Sequence, residues 1–435
     1  MAFDKKKFAQ HMLSFIEKSP TCFHTVANVK EELRENGFIE LKEAEKWVIE
    51  ENKKYFVTRN GSSVIAFKMP NVQEYEGFSI CASHSDSPSF KLKENPEMKD
   101  AGYVKLNVEK YGGMLCAPWY DRPLSIAGRI AYTDKESEYK ILTKLVNIDR
   151  DLVLIPNLAI HMNRDANSSL KYNVQDDMLP VLSLSDTESS LIDIVSSCAL
   201  VNKENILSCD LYLYNRDKGT FWGANNEFIA SPRLDDLECV YSSMKAFIEA
   251  QNSKKVAVFA VFDNEEVGSG TRQGADSSLL ESVLKRITLS TNKSEEDFYV
   301  ELAQSFLVSA DNAHGVHPNF VSKADPVNRP LLNGGIVIKF NAAQKYTTDS
   351  LSASLFEKIC KSANVPYQFF TNRSDIAGGS TLGNISTAHV SIPSVDIGLA
   401  QWAMHSPMES AGADDAEYLK NALVSFYSTD FCISE

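Results

Sequence analysis

No long uninterrupted apolar run occurs anywhere in the 435 residues, which removes the span that a membrane helix needs. Positive charge is also in deficit: 44 Lys and Arg face 58 Asp and Glu, for a formal net charge of -14. Such a field repels phosphate backbones and anionic lipid, so neither nucleic acid nor a membrane surface is an expected partner. The eight cysteines (Cys22, Cys81, Cys116, Cys198, Cys209, Cys239, Cys360 and Cys432) are scattered, with no close pair at metal-binding spacing. Free, mostly buried thiols in a reducing cytoplasm are expected. Three consecutive lysines near the start run into an amphipathic pattern and lack the apolar core of a signal peptide, which again points to the cytoplasm. Repeats, low-complexity tracts and long single-sign charge runs are absent too, so disorder and solenoid architectures are excluded.

What is present is the composition of a folded enzyme, 43% hydrophobic and 23% charged, on a chain long enough for two domains or one domain with a large insertion. Phe8, Met12, Phe15 and Ile16 share a helical face, and Val26 to Asn36 repeats the period before Gly37 stops it. Strands are expected at 63–69 and 77–83. From about Phe90 to Glu227 the texture changes to short strand-like runs (103–108, 126–132, 141–146, 152–155 and 209–214) separated by turn residues. After Pro232 strands and helices alternate: helix 234–251, strands 256–262, 306–311 and 335–340, helix 349–363, strand 395–399. Alternation of this kind implies a sheet covered on both faces. The expected fold is therefore α/β, a three-layer catalytic domain with a central mixed sheet (1–89 and 228–435) interrupted by a β-rich domain (90–227).

In such sheets ligands gather beyond the carboxyl ends of strands, so polar residues directly after apolar runs matter most. Five places qualify: His84 with Asp86, Asp235, Glu265 with Glu266, Asp311, and His405. A carboxylate two residues after His84 can accept its second ring proton. In VAVFAVFDNEEVGSG seven apolar residues deliver two adjacent, mutually repelling carboxylates. A cation resolves that repulsion if one carboxylate binds it and the other takes a proton from its water. His314 and His317 follow Asp311 at a spacing of three, but Pro318 comes at once and no helix is signalled, so packing or support roles fit them better. Together the five places supply what a dinuclear hydrolytic site requires. Mixed N and O donors suit zinc, with cobalt or manganese as substitutes.

The chain resembles the aspartyl aminopeptidases and vacuolar aminopeptidase I almost end to end. The ordered motifs include SPTCFHTV, HSDSP, WYDRPLSIAGR, IPNLAIH, SPRLDDL, FDNEEVGS, SADNAHGVHPN, GGIVIKFNAAQKY and MHSPMES. The resemblance implies removal of residues one at a time from the free amino end of peptides, with a preference for acidic ones. It implies two metal ions per chain: Asp235 bridging, His84 and Asp311 on one ion, Glu266 and His405 on the other. Glu265 is the implied general base, Asp86 the orienter of His84, and His161 a residue that enters a neighbouring copy's site to stabilise the oxyanion. Lys339 matches a substrate-pocket lysine, and Gly379 with Ser380, in the Gly-rich loop 374–384, is expected at the pocket as well. That loop resembles the bacterial branch, and it lacks the lysine and helix placement of a phosphate-binding loop. The insert is implied to mediate dimerisation, with dimers assembling into a tetrahedral dodecamer. The alternative activities are an N-acyl amino acid deacylase or another dinuclear amidohydrolase, and the alternative of another class is a non-catalytic assembly protein. Asp236 stands where many relatives have Asn.

Overall fold

The computed structural model describes residues 2–70, 75–134, 137–168, 171–251, 253–379 and 381–432. Among these, nine strands form one mixed sheet in the spatial order Ile39–Leu41, Lys54–Arg59, Ser63–Lys68, Val256–Phe262, Phe78–His84, Phe306–Ala310, Ser394–Gly398, Ile336–Phe340 and Tyr367–Thr371. The four strands in the middle, from Val256–Phe262 to Ser394–Gly398, run parallel to one another. Their carboxyl ends therefore open on the same side.

Side-chain alternation along a strand sends neighbours to opposite faces. Ala257, Phe259 and Val261 accordingly join one apolar cluster with helices Ala2–Glu17, Cys22–Glu35, Leu234–Glu249, Ser350–Ser362 and Asp415–Ser428. Val256, Val258, Ala260 and Phe262 join a second with helices Leu279–Ser290 and Glu295–Ala303. The expected three-layer α/β architecture with a mixed central sheet is thus present, and both faces of its middle strands are dry.

A second sheet of six strands is antiparallel throughout, in the order Ser137–Asn147, Leu124–Asp134, Ile206–Asn215, Ser89–Asp100, Tyr103–Tyr111 and Val181–Leu184. It packs its own core, Phe90, Leu106, Trp119, Ile126 and Leu213 among others, beneath helix Leu191–Ala199. A third, small sheet ties Thr220–Trp222 and Phe228–Ser231 to Glu409–Gly412, Ala400–Trp402 and Ala313–His314.

Two expectations change in detail. Residues 152–155 make only isolated bridges, to Tyr120, Leu124 and Val181, and form no strand of the sheet. Of the eight free cysteines, Cys22, Cys81, Cys239 and Cys360 are buried, whereas Cys198 and Cys432 are exposed. No helix among the described residues is long and apolar enough to cross a membrane.

Candidate active site

Strand Phe78–His84 is buried along its whole length and ends by placing His84 opposite Phe262 of its parallel neighbour. Directly after Phe262 the chain turns through Asn264 in the left-handed region (φ 63°) into a short helical turn, Glu265–Val267. The Asn264 side chain clamps that turn: its oxygen accepts from Thr271 Oγ1 and Gln273 Nε2, each at 2.8 Å. Asp311 follows Phe306–Ala310 on the other side of His84. Asp235 comes from the start of the buried helix Leu234–Glu249, where backbone at Asp235 (φ -79°, ψ 109°) and Asp236 (φ -116°, ψ 21°) is not yet helical and the peptide between them is cis. Asp235 is thus not the ordinary N-terminal helix residue that its sequence position allows.

These elements bring the candidate ligands together. His84 Nε2 lies 3.5 Å from Asp235 Oδ1 and 3.9 Å from Asp311 Oδ1. His405 Nε2 lies 3.5 Å from Asp235 Oδ2 and 3.4 Å from Glu266 Oε2. Asp235 therefore turns one oxygen to each histidine. Potential ligand atoms of His84, Asp235, Asp236 and Asp311 fall within 4.8 Å of one another, as do those of Asp235, Glu266 and His405, and those of His84, Glu265 and Glu266.

The other ring nitrogens are already committed. His84 Nδ1 donates to the Asp86 carbonyl at 3.0 Å, with Asp86 Oδ1 at 3.4 Å. His405 Nδ1 donates to the Gly113 carbonyl at 2.6 Å. In the neutral ring both arrangements leave Nε2 with its lone pair free, the usual condition of a metal-ligating histidine. Asp86 is itself held by the Tyr111 hydroxyl at 2.7 Å and by the backbone N–H groups of Glu265 and Glu266, each at 3.2 Å.

Without a cation the pocket is electrostatically poor. Burial pushes Glu265 up to about 8, reinforced by Asp311, Asp86 and Asp235 and opposed by His84. Glu266 is likewise raised well above its ordinary value by burial and by Asp235. Burial by itself would lower the histidines. The carboxylates outweigh it, raising His84 well above normal through Asp236, Asp235 and Asp86, and His405 to about 10 through Asp235 and Glu266. Asp235 Oδ1 and Glu266 Oε1 are buried without a hydrogen-bond partner. A buried, unpartnered Asp235 oxygen 3.5 Å from His84 Nε2 fits a divalent metal, which would satisfy both atoms and reverse the local pKa logic.

The remaining expected residues are dispersed. Lys339 is buried, donates to the Asn312 carbonyl at 3.0 Å and sits 3.8 Å from Asp311 Oδ2. Its partners thus include a candidate ligand. His161 is exposed on a loop beside exposed Leu158, Ile160 and Met162. Gly379 lines a cavity of about 250 Å³ with His314, His317, Arg329 and Arg373. Ser380 lies outside the described residues. His317 packs against Phe320 and Trp402, and His314 against Phe370, in keeping with packing roles.

Sequence reasoning missed Glu409 as a support, whereas Asp236 was expected to affect the hydrogen bonding around the ligands. One Glu409 carboxylate accepts from both His405 N (2.7 Å) and Asp235 N (3.0 Å), so it ties the backbones of two candidate ligands together. Asp236 Oδ2 accepts from His84 N at 3.1 Å. Glu409 stands in MHSPMES four residues after His405, and that spacing was its only signal.

A three-layer α/β sheet that gathers carboxylates and imidazoles at parallel strand ends defines a metal-dependent hydrolase. The family model described as Aminopeptidase I zinc metalloprotease (M18) matches residues 15–427, and the chain belongs to the M18 aminopeptidase family. It is similar to a probable M18 family aminopeptidase 2 of Clostridium acetobutylicum, 48% identical over 428 residues, covering 97% of this chain and 99% of that one. A probable M18 family aminopeptidase 2 of Ectopseudomonas mendocina is 39% identical over 432 residues, covering 98% and 99%. Among solved structures, the chain matches one in the Ape4 and Nbr1 complex with TM-score 0.94 at 36% identity, covering 98% of this chain and 86% of that one. It matches the S. cerevisiae mApe1 dodecamer with TM-score 0.85 at 27% identity, covering 98% and 97%. The protein is an aminopeptidase, a peptide hydrolase of a zinc metalloprotease family.

Proposed function

We propose that this aminopeptidase works with two divalent cations per chain, zinc first and cobalt or manganese as substitutes. His84, Asp235 and Asp311 hold one, and Asp235, Glu266 and His405 hold the other. The observation that carries this reading is the Asp235 carboxylate, whose two oxygens each lie 3.5 Å from a different histidine Nε2. Such cations, when bound, supply Lewis acidity and lower the pKa of water towards neutrality.

Glu265 is the general base. Its carboxylate oxygen takes the proton of the attacking water and returns it to the nitrogen of the departing amine. Asp86 fixes the tautomer and direction of His84. The exposed position of His161 supports its reaching the site of a neighbouring copy, where it donates to the carbonyl oxygen as negative charge develops. Peptides enter with a free amino end. Lys339, Gly379 and Ser380 belong to the pocket, and an acidic first side chain would compete with Asp311 for Lys339.

The domain division is 1–89 with 228–435 for catalysis and 90–227 for dimerisation. It is supported by the separate core of the six-stranded sheet, all of whose strands lie between Ser89 and Asn215. Dimers assemble into a tetrahedral dodecamer in the cytoplasm; the similarity to the mApe1 dodecamer supports a homo-oligomer.

Metal analysis of the purified protein, paired with hydrolysis of one peptide in free and N-acetylated forms, tests the reading. Two cations per chain and cleavage of the free form alone are expected. Preferential cleavage of the acetylated form would support the deacylase instead.

A further inference from the structure

Both candidate histidine ligands lean on one short segment of the antiparallel sheet, at its exit from strand Tyr103–Tyr111. The Tyr111 hydroxyl donates to Asp86 Oδ2 at 2.7 Å, and His84 Nδ1 donates to the Asp86 backbone carbonyl at 3.0 Å with the carboxylate Oδ1 at 3.4 Å. Two residues on, the Gly113 carbonyl accepts from His405 Nδ1 at 2.6 Å, and Leu115 N donates to the His405 carbonyl at 3.1 Å. Between these contacts, Gly112 (φ +78°) passes so close that a Cβ would sit 3.2 Å from Glu266 Cβ and 3.4 Å from both the Glu266 carbonyl oxygen and Pro88 Cβ.

The segment is anchored at both sides. Asn264 Nδ2 donates to the Tyr111 hydroxyl at 2.8 Å, which links it to the turn carrying Glu265 and Glu266, and the Tyr111 ring meets Tyr212 edge-on at 5.6 Å. The antiparallel sheet is pinned to the catalytic half elsewhere as well. Arg129 donates to the Asn60 carbonyl at 2.6 Å and lies over the Phe23 ring at 4.2 Å, and Asn215 Nδ2 donates to the Pro407 carbonyl at 3.0 Å.

We propose that Tyr111–Leu115 is a positioning strap through which the antiparallel sheet fixes the direction of both histidine ligands, so that cation retention depends on contacts from that sheet. The sheet then has a task at the metal centre of its own chain in addition to any role between copies. This rests on the reading that the cluster holds cations. A histidine whose second ring nitrogen loses its acceptor can rotate or change tautomer, and loss of such an outer partner typically weakens metal binding about ten- to a hundred-fold. Tyr111 acts on His84 at one remove, through Asp86. Gly113 acts on His405 directly, and Gly112 gives the backbone room to do so.

The test uses the full chain carrying Tyr111→Phe or Gly112→Ala. Zn²⁺ dissociation constants are measured by chelator competition, visible absorption is recorded on the cobalt-loaded protein, and assembly size and melting temperature are compared with wild type. Each variant is expected to weaken at least one of the two constants about ten- to a hundred-fold and to alter the cobalt spectrum, with assembly size unchanged. Wild-type constants and spectra in both variants would overturn the strap, as would weakening confined to samples whose assembly has fallen apart. Wild-type stoichiometry, measured first, separates the two readings. A single cation in wild type would end the two-cation assignment, while the variants' effect on that cation would still decide the strap.

Discussion

The two histidines of the proposed metal centre are placed differently. His84 ends a fully buried strand of the central sheet, and its side chain is 1% exposed. His405 lies in a loop with backbone in the left-handed region (φ 68°), and its side chain is 29% exposed. The first ligand is placed by the core itself. The second is placed by what surrounds the loop: Glu409 on its N–H, Leu115 on its carbonyl and Gly113 on its ring. A non-glycine residue in that backbone region costs of order 1–3 kcal/mol, and it persists only where several contacts hold it. On the proposed two-cation reading, rigid placement would serve one cation and borrowed placement the other, so the His405 half should exchange its metal faster.

The largest effect should come from removing what the halves share. Asp235→Ala is expected to lose metal from both sides and to abolish turnover; two cations per chain by elemental analysis would break the pairing. Glu265→Gln should leave both halves intact while lowering kcat by about 10²- to 10⁴-fold, the range for loss of a general base. Near-wild-type kcat in that variant, with metal retained, would remove Glu265 from its role. Comparing His84→Ala with His405→Ala sharpens the contrast directly. Each should keep one cation, and the one retained in His405→Ala should pass from the protein to a competing chelator more slowly. Equal release rates would erase the difference between core and loop. Smallest is Glu409→Gln, which keeps the shape and weakens the acceptor; about ten-fold weaker binding at the His405 half is expected, with a smaller loss at the other half through the shared Asp235.

Legibility in the sequence followed the same divide. Val256–Phe262 is apolar at every position and buried at every position, so its strand and the carboxylates beyond it could be read to the residue. His84, Asp311, Glu265 and Glu266 were visible because each follows such a run. Asp235 looked like a helix-opening aspartate, and only the non-helical backbone there separates it from an ordinary cap. The contacts holding His405 could not be read, because they are made largely by backbone atoms far away in the chain. The Gly113 carbonyl is 292 positions from the ring it orients, and a carbonyl has no side-chain signature. Strands Lys54–Arg59 and Tyr367–Thr371 were missed because their polar and partly exposed positions blur the apolar pattern. The third sheet was missed because its strands run two to four residues, below the length at which alternation is detectable. His161 was legible only by resemblance, since its proposed task lies in another copy of the chain.

The sharing of Asp235 is the claim on which the rest depends, and crystals of the zinc-loaded protein test it most directly through anomalous scattering at the zinc edge. Two anomalous peaks per chain are expected, one beside each oxygen of the Asp235 carboxylate. A single peak, or two peaks of which only one touches Asp235, would contradict the account.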